Sequence, residues 1–430
     1  MNQTERLYAL YQRYPLVTTD SRQCPEGSMF FALKGANFNG NAFAQKALEQ
    51  GCAVAVVDEA QYAVDDRFVL VDDVLTALQD LAAHHRRQLR IPVLQITGTN
   101  GKTTTKELVS AVLSRKYRTL YTQGNLNNHI GVPRTLLRIT PEHEMAVIET
   151  GANHPGEIAQ LCRMVQADYG LITNVGRAHL EGFGSFEGVK RTKGELYDDL
   201  VMRGKTVFLN AFDEDLLAMA GQRDGLHILN YVEGRVSRVV PFLEVQWRAA
   251  DGAPWHTVQT HLVGGYNIAN VRAAVSVGLH FGVAEEEIDR ALAEYTPTNS
   301  RSEFRQTEHN RLIVDAYNAN PTSMAAALQT FQFVEDERKM VVLGEMRELG
   351  EASEREHRMV LEALLQSNVN VIWLVGECFM RLSPVEDSRV RFFENIDAVR
   401  AYLAENPVMD YTILIKGSNG TRLYQLPESL

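Results

Sequence analysis

The stretch Ile96-Thr97-Gly98-Thr99-Asn100-Gly101-Lys102-Thr103-Thr104-Thr105 decides the fold of this chain. It follows the apolar run PVLQIT (92–97) and opens a predicted helix, and its Gly-Lys-Thr ending matches the phosphate-binding loop of nucleotide-binding proteins. The match is partial, because Ile96 stands where the standard pattern has its first glycine. With a strand before it and a helix after it, the stretch predicts a nucleotide site. The alternative is a glycine-rich turn before a helix.

The chemistry of such a loop comes from its backbone and from the residues after it. Gly98 and Gly101 let the chain curl, so that consecutive N–H groups face phosphate oxygens at the positive end of a helix. Lys102 is expected to reach the terminal phosphates, and the Thr103 hydroxyl is expected to bind Mg²⁺. A guanine-reading NKxD motif is absent from the sequence. The loop alone leaves hydrolase, kinase and ligase open.

Strands and helices alternate on both sides of the predicted nucleotide loop. The strand-like runs MAVIE (145–149), YGLIT (169–173) and KTVFL (205–209) are continuously apolar, as in a parallel sheet that is buried on both faces. Helical stretches are predicted over 102–115, 156–166, 186–200, 266–281 and 284–295. This βαβ alternation predicts a doubly wound α/β domain of the P-loop ATPase type.

Length and punctuation divide the 430 residues into three predicted domains. Pro92 suggests a boundary near residue 91, and Pro297 suggests a second near 298. The last segment has strand-like runs at 311–316, 339–344, 371–376 and 411–417, which predict a Rossmann-like α/β domain. The predicted domains are 1–90, 91–298 and 299–430.

Composition excludes several classes of function. The chain has 43 Lys plus Arg against 54 Asp plus Glu, a net charge of −11, which argues against nucleic acid as the main partner. No apolar run approaches a membrane span, and the first residues, MNQTERLYAL, lack the apolar core of a signal peptide. A cytoplasmic protein is therefore expected, with its four separated cysteines reduced.

Polar residues follow two of the predicted strands at the edge where ligands bind in doubly wound sheets. Glu149 ends the run MAVIE and is a candidate Mg²⁺ ligand, since this ion prefers oxygen donors; the alternative is an acid in solvent. His179 follows the run YGLIT and could face the metal or the transferred phosphate; the alternative is a structural histidine.

Two further stretches are ambiguous by composition. GNLNNHIG (124–131) is rich in amides that suit a polar substrate, with Asn127 and Asn128 as candidates, or it is an ordinary asparagine turn. Lys193 belongs to KRTK (190–193), and such a run of cations is typical of a solvated helix face.

Taken together, the motifs resemble the Mur ligases, the ATP-dependent amino-acid-adding enzymes of peptidoglycan synthesis. The central motifs are ITGTNGKTTT, GNLNNHIG, IETGANHPGEI, ITNVGRAHLEGFGS, RTKGEL and GGYNIANVRAA. The remaining motifs are DSRQCPEGSMFFALKGANFNGNAF, NSRSEF, VDAYNANPTSM, LGEMRELG and IKGSNG. The resemblance covers essentially the whole chain. Three of these motifs, YNANPTSM, LGEMRELG and DSRQCPEGSMFFALKGANFNGNAF, resemble the branch that joins D-alanyl-D-alanine to a UDP-N-acetylmuramoyl-tripeptide through an acyl phosphate.

The resemblance also implies residue roles. ATP would be bound by Gly98, Thr99, Asn100, Gly101, Lys102, Thr103, Thr104, Asn267, Arg301 and Asp315. Two Mg²⁺ ions would be bound by Thr103, Glu149, His179 and Lys193, the last if CO₂ carbamylates it into a carboxylate-like ligand. The catalytic residues would be Lys102, His179 and Lys193. The substrates would be bound by Ser21, Arg22, Asn127, Asn128, Asn318, Asn320 and Lys416. The family implies a monomer with a hinge near 298, small-molecule substrates and no membrane span.

Departures from the family pattern leave alternatives open. VDAY (314–317) replaces the commoner DDSY, and KGSNG (416–420) replaces a KGSR-type ending. A ligase of the same fold that adds a diamino acid, or glutamate to a folate, is one alternative, although YNANP stands where a DNPR-type motif would indicate a diamino acid. A nucleotide-dependent binding protein without turnover is the other. No general base for the incoming amine is evident from the sequence.

Overall fold

The computed structural model describes residues 2–239, 241–297 and 303–430. Within them, strands form a parallel four-stranded sheet, a parallel six-stranded sheet, a three-stranded antiparallel sheet and a second six-stranded sheet, besides one short hairpin. Helices lie between the strands of the larger sheets. The predicted α/β fold class is confirmed.

The N-terminal sheet has the strand order β1-β2-β5-β6. Its side chains alternate between two hydrophobic cores. Met29 and Phe31 belong to a core that continues into the central segment, whereas Phe30 belongs to a separate, smaller core. The elements of this segment are α1 Gln3–Arg13, β1 Val17–Thr18, β2 Met29–Phe31, β3 Lys34–Gly35, β4 Phe38–Asn39, α2 Ala44–Glu49, β5 Val54–Val57, β6 Phe68–Leu70 and α3 Val74–Gln88.

The central sheet is parallel, with the order β12-β11-β10-β7-β9-β8. Ala146 and Ile148 face one core and Val147 faces the other, which explains why the run MAVIE is apolar throughout. The strands are β7 Val93–Thr97, β8 Thr119–Tyr121, β9 Met145–Glu149, β10 Tyr169–Ile172, β11 Thr206–Leu209 and β12 His227–Asn230. The four predicted strands are confirmed here, whereas β8 and β12 were not predicted.

Helices cover both faces of the central sheet. All five predicted helical stretches are present with ends within two residues. The helices are α4 Lys102–Leu113, α5 Gly131–Leu136, α6 Glu157–Val165, α7 Leu180–Phe183, α8 Phe186–Met202, α9 Glu214–Gly221, α10 Ile268–His280 and α11 Glu285–Glu294.

A three-stranded antiparallel sheet follows β12 and was not predicted. It consists of β13 Glu233–Arg238, β14 Glu244–Arg248 and β15 His256–Gln259. In β14 only Val245 and Trp247 are buried, so the strand alternates with polar residues and lacks the continuous apolar run of the parallel strands.

The C-terminal sheet has the order β16-β17-β21-β18-β19-β20, in which only β16 is antiparallel to its neighbour. The elements are β16 Glu303–Gln306, β17 Arg311–Asp315, α12 Pro321–Gln332, β18 Lys339–Gly344, α13 Ser353–Leu365, β19 Val371–Val375, α14 Glu377–Met380, β20 Val390–Phe393, α15 Ile396–Glu405 and β21 Thr412–Lys416. Short 3₁₀ turns lie at Gly40–Phe43, Ala60–Tyr62, Gly265–Asn267, Gly350–Ala352, Asn419–Thr421 and Leu423–Ser429.

The predicted domain boundaries remain predictions. One hydrophobic core joins Leu78 and Leu81 of α3 to Ile158 and Leu161 of α6, so packing is continuous across residue 91. The predicted boundary and hinge near 298 lie outside the described residues. The four cysteines are free thiols, and no described helix is long and apolar enough to cross a bilayer.

Candidate functional site

The phosphate loop follows β7, the strand at which the chain order of the central sheet reverses. Gly98 and Gly101 have φ angles of 142° and 77°, in the region that disfavours side chains. A Cβ on Gly98 would also collide with Thr173 Oγ1, so close packing fixes this position as well. Ile96 is fully buried within β7, which explains the partial motif: the glycine-rich turn begins only after the strand ends.

Side chains that follow β10 hold the loop in shape. Asn100 N donates to Asn174 Oδ1 at 3.0 Å, and Thr173 Oγ1 donates to Asn100 O at 2.6 Å. Lys102 Nζ lies back over the loop, where it donates to the carbonyl oxygens of Gly98 and Thr99 at 2.9 Å each. A flexible ammonium group at this place can transfer those contacts to phosphate oxygens.

Glu149 ends β9 beside the start of α4 and is 1 % exposed, so the alternative of an acid in solvent is wrong. Its Oε1 accepts from Asn127 Nδ2 at 2.8 Å and from Thr103 Oγ1 at 3.2 Å. Its buried Oε2 has no hydrogen-bond partner among the described residues. A buried carboxylate oxygen without a partner is costly, and it is a ready ligand for a cation.

Lys193 is 2 % exposed on α8, so the interpretation of this run as a solvated helix face is wrong for this residue. Its neighbours do fit that interpretation, since Lys190 pairs with Asp215 at 2.7 Å and Arg191 is exposed. Lys193 Nζ makes one hydrogen bond among the described residues, to Ala152 O at 3.4 Å. Burial, followed by the nearby charge of Lys102, holds the pKa of Lys193 well below its usual value. The site therefore favours the uncharged form of this amine more than water does.

His179 directly precedes α7, in a left-handed backbone conformation with φ at 50°. Its Nδ1 contacts Glu348 Oε2. The backbone of Glu348 also has a positive φ, of 62°. Burial lowers the pKa of His179, against the opposing charge of Glu348. Two residues in strained conformations thus meet where the central and C-terminal segments contact each other.

The C-terminal segment closes the other side of the site. Lys416 is 1 % exposed and pairs with Asp315 Oδ2 at 2.6 Å, which joins the ends of β21 and β17. Asn320 caps α12 and donates through Nδ2 to Asn100 Oδ1 at 2.7 Å, so the C-terminal segment contacts the phosphate loop directly.

One cavity of about 810 Å³ brings most of the predicted residues together. The predicted residues that line it are Thr99, Asn100, Gly101, Lys102, Thr103, Thr104, Asn127, Asn128, Glu149, His179, Asn267, Asp315, Asn318, Asn320 and Lys416. Among the described residues, four predicted ones do not line it: Gly98, Lys193, Ser21 and Arg22. Arg22 pairs instead with Asp20 at 2.8 Å, and Arg301 lies outside the described residues.

Sequence reasoning missed several supporting residues. Asn270 lies three residues after Asn267 on α10, donates to its Oδ1 at 2.8 Å and accepts from Thr105 Oγ1. Thr122 belongs to none of the motifs, yet its Oγ1 accepts a hydrogen bond from Glu149 N at 3.0 Å. Glu348 lies within the motif LGEMRELG, but its contact with His179 depends on packing between distant segments.

Comparison with known protein families gives three matches that together run along most of the chain. Residues 13–86 match the Mur ligase family, catalytic domain; residues 96–278 match the Mur ligase middle domain; and residues 300–419 match the Mur ligase, glutamate ligase domain.

Individual relatives extend this similarity. The UDP-N-acetylmuramoyl-tripeptide--D-alanyl-D-alanine ligase of Bacillus subtilis (strain 168) is 34 % identical over 426 residues, which cover 96 % of this chain and 92 % of that protein. The ligase of the same name from Escherichia coli (strain K12) is 35 % identical over 427 residues, which cover 96 % and 93 %. A crystal structure of MurF from Acinetobacter baumannii is 30 % identical and matches with a TM-score of 0.88, covering 99 % of this chain and 98 % of that one.

Proposed function

Because the chain belongs to the Mur ligase family, we propose that it is an ATP-dependent ligase that joins D-alanyl-D-alanine to UDP-N-acetylmuramoyl-tripeptide in peptidoglycan synthesis. The observation that carries this function is the single cavity that joins the phosphate loop and Glu149 to Asp315 and Lys416 of the C-terminal segment. A phosphate donor and a second substrate can meet in such a space.

The residues around Glu149 fit a magnesium ion. Its unpartnered buried Oε2 and the Thr103 hydroxyl are oxygen donors of the kind that Mg²⁺ prefers. The described residues contain no group of three His, Cys, Asp or Glu side chains that could hold a metal, so phosphates and water would complete the coordination. When bound, Mg²⁺ neutralises phosphate charge and so lowers the repulsion between the two anionic substrates. Glu149 and Thr103 would hold one ion, and His179 and a modified Lys193 would serve a second.

The burial of Lys193 and the lowered pKa of its amine support the proposed carbamate. Its Nζ lone pair would bond to the carbon of CO₂, one proton would leave the nitrogen, and the product would be an anionic N-carboxylate. An unmodified amine at this place contributes little to stability through hydrogen bonding, because its one hydrogen bond among the described residues, to Ala152 O, is long. The carbamate would replace a cation-forming group by an oxygen ligand.

The proposed reaction has two group transfers. An oxygen of the tripeptide carboxylate attacks the γ-phosphorus of ATP, and the bond to the β-phosphate oxygen breaks to give an acyl phosphate and ADP. The neutral amine of the dipeptide then attacks the acyl carbon, phosphate leaves with the original carboxylate oxygen, and the nitrogen loses a proton. Lys102 lies where it can contact the transferred phosphate. The two segments that enclose the cavity would keep water from hydrolysing the acyl phosphate.

The other roles are those implied by membership of the family, and the cavity lining is compatible with them for Asn127, Asn128, Asn267, Asp315, Asn318, Asn320 and Lys416. Asn267, Asp315 and Arg301 would hold the nucleotide, and Asn127 and Asn128 a polar part of the substrate. Asn318, Asn320 and Lys416 would face the dipeptide, and Ser21 and Arg22 the UDP-sugar. A hinge near residue 298, a monomeric state and a cytoplasmic location are parts of the same proposal.

A phosphate-release assay tests this function. ATP, UDP-N-acetylmuramoyl-tripeptide and D-alanyl-D-alanine are each omitted in turn, and release is expected only when all three are present. Release that requires a diamino acid, or glutamate together with a folate, would assign a different ligase. ATP binding without acceptor-dependent release would indicate a protein without turnover. Lys193→Ala, with Lys190→Ala on the same helix as its control, extends the assay to the carbamate: only the first variant is expected to lose activity.

A further inference from the structure

A second cavity of about 220 Å³ extends the main cavity on its C-terminal side. The two share His179, Asn318, Asn320, Glu348 and Asn419. The smaller one adds Arg347 together with Ser418 and Gly420, the residues on either side of Asn419. Because the smaller cavity opens from the reaction site and is enclosed by the segment proposed to face the dipeptide, it is a candidate place for the far end of that substrate.

Arg347 supplies the one lysine or arginine charge among the described residues that line the smaller cavity. Its backbone N donates to Ser418 Oγ at 3.1 Å, which fixes the residue beside the turn that follows β21. Its Nε lies 3.5 Å from Glu345 Oε1, and the side chain remains 57 % exposed. The guanidinium group is thus positioned on one side and accessible on the other.

Gly420 makes room for this guanidinium group. A Cβ at residue 420 would overlap Arg347 Nη1, so the arginine lies directly over the turn. The preceding residue, Asn419, is neutral and also lines both cavities. The positive charge beside this turn therefore comes from the neighbouring loop 345–349.

The chemistry of the dipeptide matches this arrangement. Its amine must reach the acyl carbon in the main cavity, and its carboxylate then lies about 7 Å away, since two extended residues span that length. Glu348, next to Arg347, is an acid that lines both cavities and contacts His179 on the reaction side. Glu348 would attract the ammonium end of the zwitterionic dipeptide, and Arg347 would attract its carboxylate.

We propose that Arg347 binds the terminal carboxylate of the incoming dipeptide and thereby selects acceptors whose C-terminus is free. This rests on the proposed function and adds a specificity-determining residue to it. Arginine suits the role because its planar guanidinium group can donate two parallel hydrogen bonds to one carboxylate.

The test compares D-alanyl-D-alanine with D-alanyl-D-alaninamide, which lacks the terminal charge, as acceptors for the wild-type protein and for Arg347→Ala. A charge-assisted contact predicts that the wild type prefers the acid by about tenfold to a hundredfold in kcat/KM. Arg347→Ala is expected to raise KM for the acid by a similar factor, to leave KM for ATP unchanged and to use both acceptors about equally well. Arg347→Lys, which keeps the charge without the fork, should retain part of the preference. Arg381→Ala is the control, since Arg381 is exposed and pairs with Glu377 at 2.6 Å outside the cavity.

The outcomes separate this inference from the function on which it rests. An Arg347→Ala protein that ligates the dipeptide with unchanged KM and the wild-type preference for the acid overturns the role of Arg347 alone. A wild-type protein that does not ligate the dipeptide at all overturns the proposed function as well. Arg347→Lys gives the same decision should the alanine variant not fold.

Discussion

Replacing Lys193 with methionine separates its chemical role from its structural one. Among the residues that the structure describes, Lys193 Nζ makes one hydrogen bond of 3.4 Å, at the weak end of the range, which contributes at most about 1 kcal/mol. Methionine has a similar length and volume, and such exchanges in a core cost less than about 1.5 kcal/mol. The variant also removes a buried amine whose charged form is strongly disfavoured. The free energy of unfolding should therefore fall by no more than about 2.5 kcal/mol, the sum of these two bounds, which shifts the thermal midpoint by at most about 10 degrees.

The catalytic effect of the same substitution should be much larger. If Lys193 holds a metal ion that stabilises the transferred phosphate, its loss removes electrostatic stabilisation of the kind that typically contributes about a hundredfold or more to kcat. The assays are thermal unfolding, ATP binding by calorimetry, and phosphate release in buffer with and without added bicarbonate. Lys190→Met, which changes an ion-paired lysine on the same helix, is the control and should remain active. Normal turnover of Lys193→Met would refute the role in catalysis, and equal losses of stability and ATP binding would show that the lysine is structural.

Three further predictions concern the same site and its frame. Glu149→Gln replaces the buried carboxylate. It should raise the Mg²⁺ concentration for half-maximal activity at least about tenfold, while ATP binding without metal is unchanged. A titration in which the variant and the wild type show equal Mg²⁺ dependence would contradict the assignment. Gly98→Ala should cost about 1–3 kcal/mol and abolish ATP binding, because its Cβ would collide with Thr173 Oγ1, whereas Gly204→Ala has positive φ but open space and should do less in the same melts. Burial lowers the pKa of His357, so the unfolded chain binds a proton that the folded chain does not. Stability should therefore fall as pH drops below about 6.5. His357→Gln should flatten this dependence in thermal melts from about pH 8 to about pH 5.5, and an unchanged slope would refute the role of His357.

Strands and helices with strong patterns were predictable because burial decides their composition. Met145–Glu149 and Lys339–Gly344 are continuously buried and coincide with the predicted runs. Glu233–Arg238 and Glu303–Gln306 are largely polar strands whose pairing depends on a neighbour, so their own sequence carries little signal.

The site was predictable where a residue's position after a strand determines its place. Glu149 is such a case, because the end of β9 must lie beside the phosphate loop in a parallel sheet. The burial of Lys193 was not predictable from composition, because Arg191, only two residues earlier on the same helix, is exposed. The contact between His179 and Glu348 joins residues far apart in the chain, and only tertiary packing brings them together.

The fate of one oxygen atom tests the central chemistry most directly. UDP-N-acetylmuramoyl-tripeptide is prepared with a heavy isotope of oxygen in its terminal carboxylate and is incubated with ATP, D-alanyl-D-alanine and the protein. If the cavity around Lys102 and Glu149 activates the carboxylate by phosphorylation, mass spectrometry will find one heavy oxygen in each phosphate released. Phosphate that carries no label while the amide forms would contradict the acyl phosphate, and with it the role assigned to this site.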